Sequence, residues 1–238
     1  MQKRIPVTRI FHAAALALML AICVPVAGYA QPTAPPADIQ SFFQQVSGEW
    51  IGTVEQYTGG VKAETKYFHS VTKQTGPDTY EDVFEYYRID KVTKAPVQVG
   101  ITTMTTKITA QGVATNTIVG KGDVFIDPKT LKPESHTLSE VLMMSSDGSL
   151  QGTGSGKINV SGLSMDAGKN GKVSHYTSTW VLKNGALNIT ERLKVSFHVF
   201  LFTLPYNIVD NLAAKRGSDV KALMQSAGAD LETGPPKH

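Results

Sequence analysis

The sequence predicts an all-β protein, an antiparallel up-and-down barrel with a short N-terminal helix and C-terminal helices. Three observations predict it. From Trp50 onward the chain runs for roughly 150 residues in short alternating apolar and polar stretches with almost no helical period. Those stretches are separated by turn formers: Gly59-Gly60, Gly76-Pro77-Asp78, Asp127-Pro128, Asp147-Gly148 and Asn184-Gly185. Successive tight hairpins make a meander, and a meander of this length must close on itself to remove its edges.

The elements follow in order. Residues 1–30 read as a secretory signal peptide. Lys3, Arg4 and Arg9 are its basic start, Ala13 to Val24 its apolar core, and Gly28-Tyr29-Ala30 its cleavage site. The apolar core is short and interrupted for a membrane span. Lipid attachment at Cys23 is disfavoured, because the preceding residue, Ile22, is not small. The mature product is therefore expected in the periplasm or outside the cell. Gln31 to Asp38 is a Pro-rich spacer. Ile39 to Val46 is expected to form a short helix that ends at Ser47-Gly48.

The barrel domain is placed at 39–204. Its expected strands are Trp50–Tyr57, Thr65–Gln74, Thr79–Ile89, Val97–Thr109, Val113–Gly120, Asp123–Ile126, Ser135–Ser145, Ser149–Val160, Lys172–Leu182 and Ala186–Val195. Pro205 is expected to open a helix from Tyr206 to about Lys215, and Ser218 to cap a second one through Gln225. Residues 205–226 thus read as helices packed on the barrel, and 227–238 as a frayed tail.

Charge and cysteine exclude several functions. The chain carries 23 Lys+Arg and 20 Asp+Glu, and the leader holds three of the bases and none of the acids. Cleavage leaves 20 against 20, which argues against a general nucleic-acid binder. The one Cys also leaves with the leader, and with it any disulfide, thiol nucleophile or thiolate metal site. No phosphate-binding glycine loop and no Gly-x-Ser-x-Gly elbow occurs.

Gly48-Glu49-Trp50 resembles the Gly-x-Trp motif of the lipocalin and wider calycin group, where an entry helix runs into the first barrel strand. The resemblance implies a Trp50 that closes the barrel floor, a basic residue of the last strand packed over it, for which Arg192 is the position to try, and an interior cavity for a small apolar molecule. It names no ligand. Some calycin-like barrels ligate haem through one His, but nothing singles out one among His69, His136, His175 and His198. No cofactor and no metal is expected.

Leu187, Ile189, Leu193, Val195 and Phe197 share one strand face, and Glu191 lies in its middle. A carboxylate in an apolar stripe must be paired or hydrogen-bonded. Glu191 is either an anchor for a ligand head group or a rim residue that meets solvent. Gly152, Gly154, Gly156 and Gly162 share another face; they mark room for a close approach or a bend at a barrel corner. Glu134, His136 and Glu140 read as a solvated outer face rather than a metal site. Asp166 to Gly171 reads as a turn, since the ligands of a calcium loop are missing. The run Phe197 to Leu204 is apolar on both faces: a buried final strand, or a lip touching membrane through Phe197, Phe200 and Phe202.

The expected function is binding of a small apolar ligand of the lipid, fatty acid or isoprenoid class. Trp50, Tyr86, Tyr176, Trp180 and Glu191 are the candidate lining residues. Two alternatives stand: an envelope interaction module with a filled core, and a lipid-acting isomerase or hydratase with Glu191 as its catalytic base. Oligomeric state is not readable from the chain.

Overall fold

In the computed structural model, residues 38–90, 92–110, 112–122, 132–161, 170–199 and 202–232 are described. The leader, Cys23, residues 31–37 of the spacer, the expected strand Asp123–Ile126, the turn beginning at Asp166, and Phe200 lie outside them.

Helix α1 (Ile39–Val46) leads into ten strands: β1 (Gly48–Thr58), β2 (Val61–Gly76), β3 (Thr79–Ile89), β4 (Pro96–Ala110), β5 (Val113–Gly122), β6 (Lys132–Met144), β7 (Leu150–Ser161), β8 (Asn170–Lys183), β9 (Ala186–Val199) and β10 (Phe202–Arg216). Helix α2 (Val220–Glu232) follows. Each strand pairs antiparallel with its sequence neighbours, and β1 pairs with β10 from Trp50↔Arg216 to Thr58↔Ile208, so the barrel is closed and has no edge. The expected fold class is the observed one.

Alternation sets the inside. Val54, Phe68, Phe84, Ile118, Leu138, Ile158, Leu193 and Ile208 point into one continuous core. At the Trp50 end α1 plugs the barrel. Asp38 caps this helix, its Oδ1 accepting from the Ser41 N–H at 2.6 Å while the Ser41 hydroxyl receives the Asp38 N–H at 3.1 Å. Ile39, Phe42, Phe43 and Val46 recur at helical spacing and are all buried. Phe43 stacks on Tyr80, with ring centroids 5.2 Å apart, and lies 6.5 Å from Trp180.

The C-terminal reading needs correction. Residues 205–216 are not a helix but the greater part of β10, so the barrel extends to Arg216. Among the described residues there is one C-terminal helix, not two. It begins at Val220, capped by Asp219, whose Oδ1 accepts the Ala222 N–H at 2.9 Å, and it runs to Glu232 into the expected tail. Its Val220 and Met224 pack outside the barrel on Ile51 and Tyr67. Asn184 and Gly185 both take positive φ, as a tight hairpin of the expected kind requires.

Candidate functional site

The floor is built on Trp50. Its indole N–H donates to Val46 O at 2.7 Å, and the guanidinium carbon of Arg216 lies 4.0 Å from its ring centroid. Arg216 also donates to Ser47 O at 2.6 Å and to Gln45 O, so it satisfies carbonyls at the C-terminal end of α1. Gly48 takes φ +113°, and a Cβ there would stand 2.8 Å from the Arg216 Nη1 atom. The basic residue over Trp50 is thus Arg216, not Arg192. Arg192 alternates with the inward-facing Glu191 and lies on the outer surface.

Above the floor the interior holds more charge than the alternation of one strand suggests. Asp82, Glu140, Glu191 and Asp210 are all buried inside, with Lys66 and His136. Glu191 lies in mid-strand, 6% exposed and facing Asp210 on β10, so it is not a rim residue. The Tyr176 hydroxyl donates to Glu191 Oε1 at 2.6 Å. Burial, with the charges of Asp210 and Glu140 added, outweighs that hydrogen bond and pushes the Glu191 carboxyl up to about 8. Burial likewise lifts Asp82 and Asp210 to about 7. Tyr86 and Tyr176 stand well above the usual phenol range, first from burial and then from Glu191. Tyr86, Tyr176 and Glu191 are therefore close enough for their charges to act on one another, and Asp82 and Asp210 join them.

Glu140 forms a second network nearer the floor. Its Oε1 accepts from the Asn116 amide at 2.9 Å and its Oε2 from the Ser178 hydroxyl at 2.7 Å. Ser178 in turn accepts the Trp180 indole N–H at 3.1 Å. Gly152 makes this possible, because a Cβ there would stand 2.1 Å from Glu140 Oε2 and 2.2 Å from Ser178 Oγ. The neighbouring Gly154 and Gly156 instead let β7 approach the β6 backbone, beside a register shift against β8. His136 and Glu140 thus correct the outer-face reading. An irregularity between Pro133 and Ser135 leaves Glu134 outside and turns the other two inward. Among the described residues no group of His, Cys, Asp and Glu could hold a metal ion.

Sequence reasoning named Tyr86, Tyr176 and Glu191 as lining residues, and the structure brings the three together inside the wall. Trp50 and Trp180 are inside as well, but at the floor, beside Phe43. It missed Asp82, Asp210 and Lys66. Asp82 carried a usable signal, the alternation Tyr80-x-Asp82-x-Phe84-x-Tyr86. Phe197 is 1% exposed and packs edge-on against Tyr206, with centroids 5.7 Å apart, so it faces the core rather than a membrane.

By architecture this is a calycin-like barrel: a closed antiparallel meander, plugged at one end by a helix that enters through Gly-x-Trp. No protein-family model matches the sequence, and no curated protein matches it. Among solved structures it is similar to Rv2717c from M. tuberculosis, with 13% identity over 77% of this chain and 99% of that one and a TM-score of 0.48. It is also similar to the S-type phycobiliprotein lyase CPES from Guillardia theta, with 8% identity over 76% of this chain and 93% of that one and a TM-score of 0.43.

Proposed function

We propose that the protein is exported and binds a small, largely apolar molecule inside the barrel, its one polar head set against Glu191, Tyr176 and Tyr86. The observation that carries this reading is the Tyr176–Glu191 hydrogen bond at mid-barrel, with Tyr86 nearby, inside a wall that sets a few buried acids among apolar side chains. Inward-facing side chains elsewhere on these strands, such as Phe84, Ser178 and Leu193, are 1–2% exposed, yet surface returns at Asp82, Tyr86, Met104 and Glu191, at 5–7%. Asp82 Oδ1 and Asp210 Oδ1 meet no hydrogen-bonding protein partner, so a ligand donor has acceptors waiting. The wall supplies affinity by burial, about 25 cal/mol per Å² of apolar surface.

The polar set also selects the head. Four buried acids face one buried lysine, and that lysine is 2.7 Å from Glu64. A carboxylate head would add a fifth acid to this low-dielectric space. An alcohol, amide, carbonyl or amine head fits, so within the lipid class isoprenoid-like or neutral lipids suit better than free fatty acids.

Native mass spectrometry of the mature protein with ligands of one chain length and different heads tests this. The alcohol and amine should form one-to-one complexes, and Glu191→Gln should weaken them about ten-fold. No adduct with any of them, nor from the native envelope, would sink the carrier reading and favour a module that binds partners by its outer surface. As for catalysis, burial pushes the Glu191 carboxyl up to about 8, which favours its protonated form at neutral pH. In an isomerase or hydratase it would serve as an acid first rather than a base.

A further inference from the structure

Strands β7 to β10 contain two acids, Glu191 and Asp210, and both are buried inside the barrel. Their outer face is therefore free of carboxylates. It carries Lys157, Lys172, His175, Arg192 and Lys194, all exposed. Lys157 lies directly opposite Lys172, and Lys194 directly opposite His175. The Lys157–Lys172 pair sets like charges at opposed positions, which costs stability, so packing does not explain it. Among the described residues none of the five lies in a salt bridge. The outer face of β1 to β3 is mixed instead, with Glu49, Glu55, Glu81 and Glu85 set among Lys62, His69 and Lys73 at its exposed or half-exposed positions.

The basic face is also indented. The register shifts in β7 and β8 accompany a depression of about 420 Å³ bordered by Ser155, Lys157 and Lys172. A second, of about 350 Å³, lies between His175, Thr177, Arg192, Lys194 and Asn207. Each offers cations beside hydroxyl or amide donors, the chemistry that holds a phosphate.

We propose that this face docks the barrel on an anionic phospholipid bilayer, with headgroup phosphates in the two depressions. Four neighbouring strands present about 14 Å of width, enough for several headgroups side by side. Among the described residues the face holds no outward Phe, Tyr or Trp on which a base could stack, and no apolar centre of the kind a protein interface buries. Its Thr, Ser and Lys positions do not suit immersion in lipid, which leaves contact at the surface. The charge is local, since the chain without its leader holds equal numbers of acids and bases.

Co-sedimentation of the mature protein with vesicles tests this independently of any interior ligand. Vesicles of phosphatidylcholine with phosphatidylglycerol should retain the protein and phosphatidylcholine alone should not, with binding lost in high salt. Arg192→Ser with Lys194→Ser should weaken binding about five-fold per charge removed. Lys73→Ser with Lys107→Ser, exposed lysines on other strands, should change it little. All four positions are on the surface, so thermal melts should confirm intact folding. Equal binding to both vesicle types, no binding to either, or equal loss in the two double variants would overturn the proposal.

Discussion

Arg216 does two things with one side chain. It covers the Trp50 ring and donates to two carbonyls at the end of α1. Its planar fork matters, because a lysine offers a point charge and no stacking face. Arg216→Ala should lower stability by about 2 kcal/mol, the sum of a cation–π contact and a lost helix cap. Arg216→Lys should recover less than half of that in urea denaturation; full recovery would mean that charge alone matters. The motif that pointed here, Gly48-Glu49-Trp50, identified the tryptophan but not its partner. Arg192 lies on a strand that reads as the last one, because the true last strand, β10, reads locally as a helix. Glu191 was legible for the opposite reason: five apolar residues at period two make one carboxylate conspicuous. Asp82 and Glu140 stand in similar stripes, Tyr80-x-Asp82-x-Phe84 and Leu138-x-Glu140-x-Leu142. Lys66 lies in the polar run Lys62 to Lys66, where nothing marks one lysine as buried.

At the scale of elements, nine strands and α1 were readable from alternation, turn residues and the stop at Ser47-Gly48, whereas β10 was not. Ile208, Val209 and Leu212 imitate a helical face. The true period, Tyr206, Ile208, Asp210, Leu212, Ala214, is broken by an acid at its centre. Pairing decided the matter: β10 lies between β9 and β1 and bonds to both, which no local propensity foretells. Helix α2 has a different role from α1. It lies outside and covers Ile51 and Tyr67, the outward residues of β1 and β2 that are apolar where their neighbours are polar. Met224 is 1% exposed in that contact. Met224→Ala should destabilise the protein by about 2 kcal/mol in denaturant titration. A loss below ~0.5 kcal/mol would mean that α2 rests on the barrel without stabilising it.

At the scale of the whole molecule the interior acids make stability depend on pH in an unusual direction. Glu191, Asp82 and Asp210 hold their protons more tightly folded than unfolded, with folded values of about 8, 7 and 7 against ordinary values of 4.5, 3.8 and 3.8. Their contribution is fully present below the unfolded values and is lost as pH rises through the folded ones. His136 acts oppositely. Burial pushes it down to about 3 from 6.5, so its contribution is present above 6.5 and is lost as pH falls toward 3. The three raised acids, with Glu140 raised as well, outweigh one histidine across the range between. The ligand-free protein should therefore melt at a higher temperature near pH ~5 than near pH ~8.5, by roughly 5–10 °C. Glu191→Gln, which keeps an acceptor for the Tyr176 hydroxyl and cannot ionise, should flatten that slope and raise Tm on the alkaline side. A bound amine would do the same by another route, since its charge favours the ionised acids and its binding releases protons. Melting curves across pH, with and without the amine of the ligand series, separate these cases. A slope that vanishes only with the amine present places its head among Glu191, Asp210 and Asp82; a slope unchanged by the amine places it elsewhere.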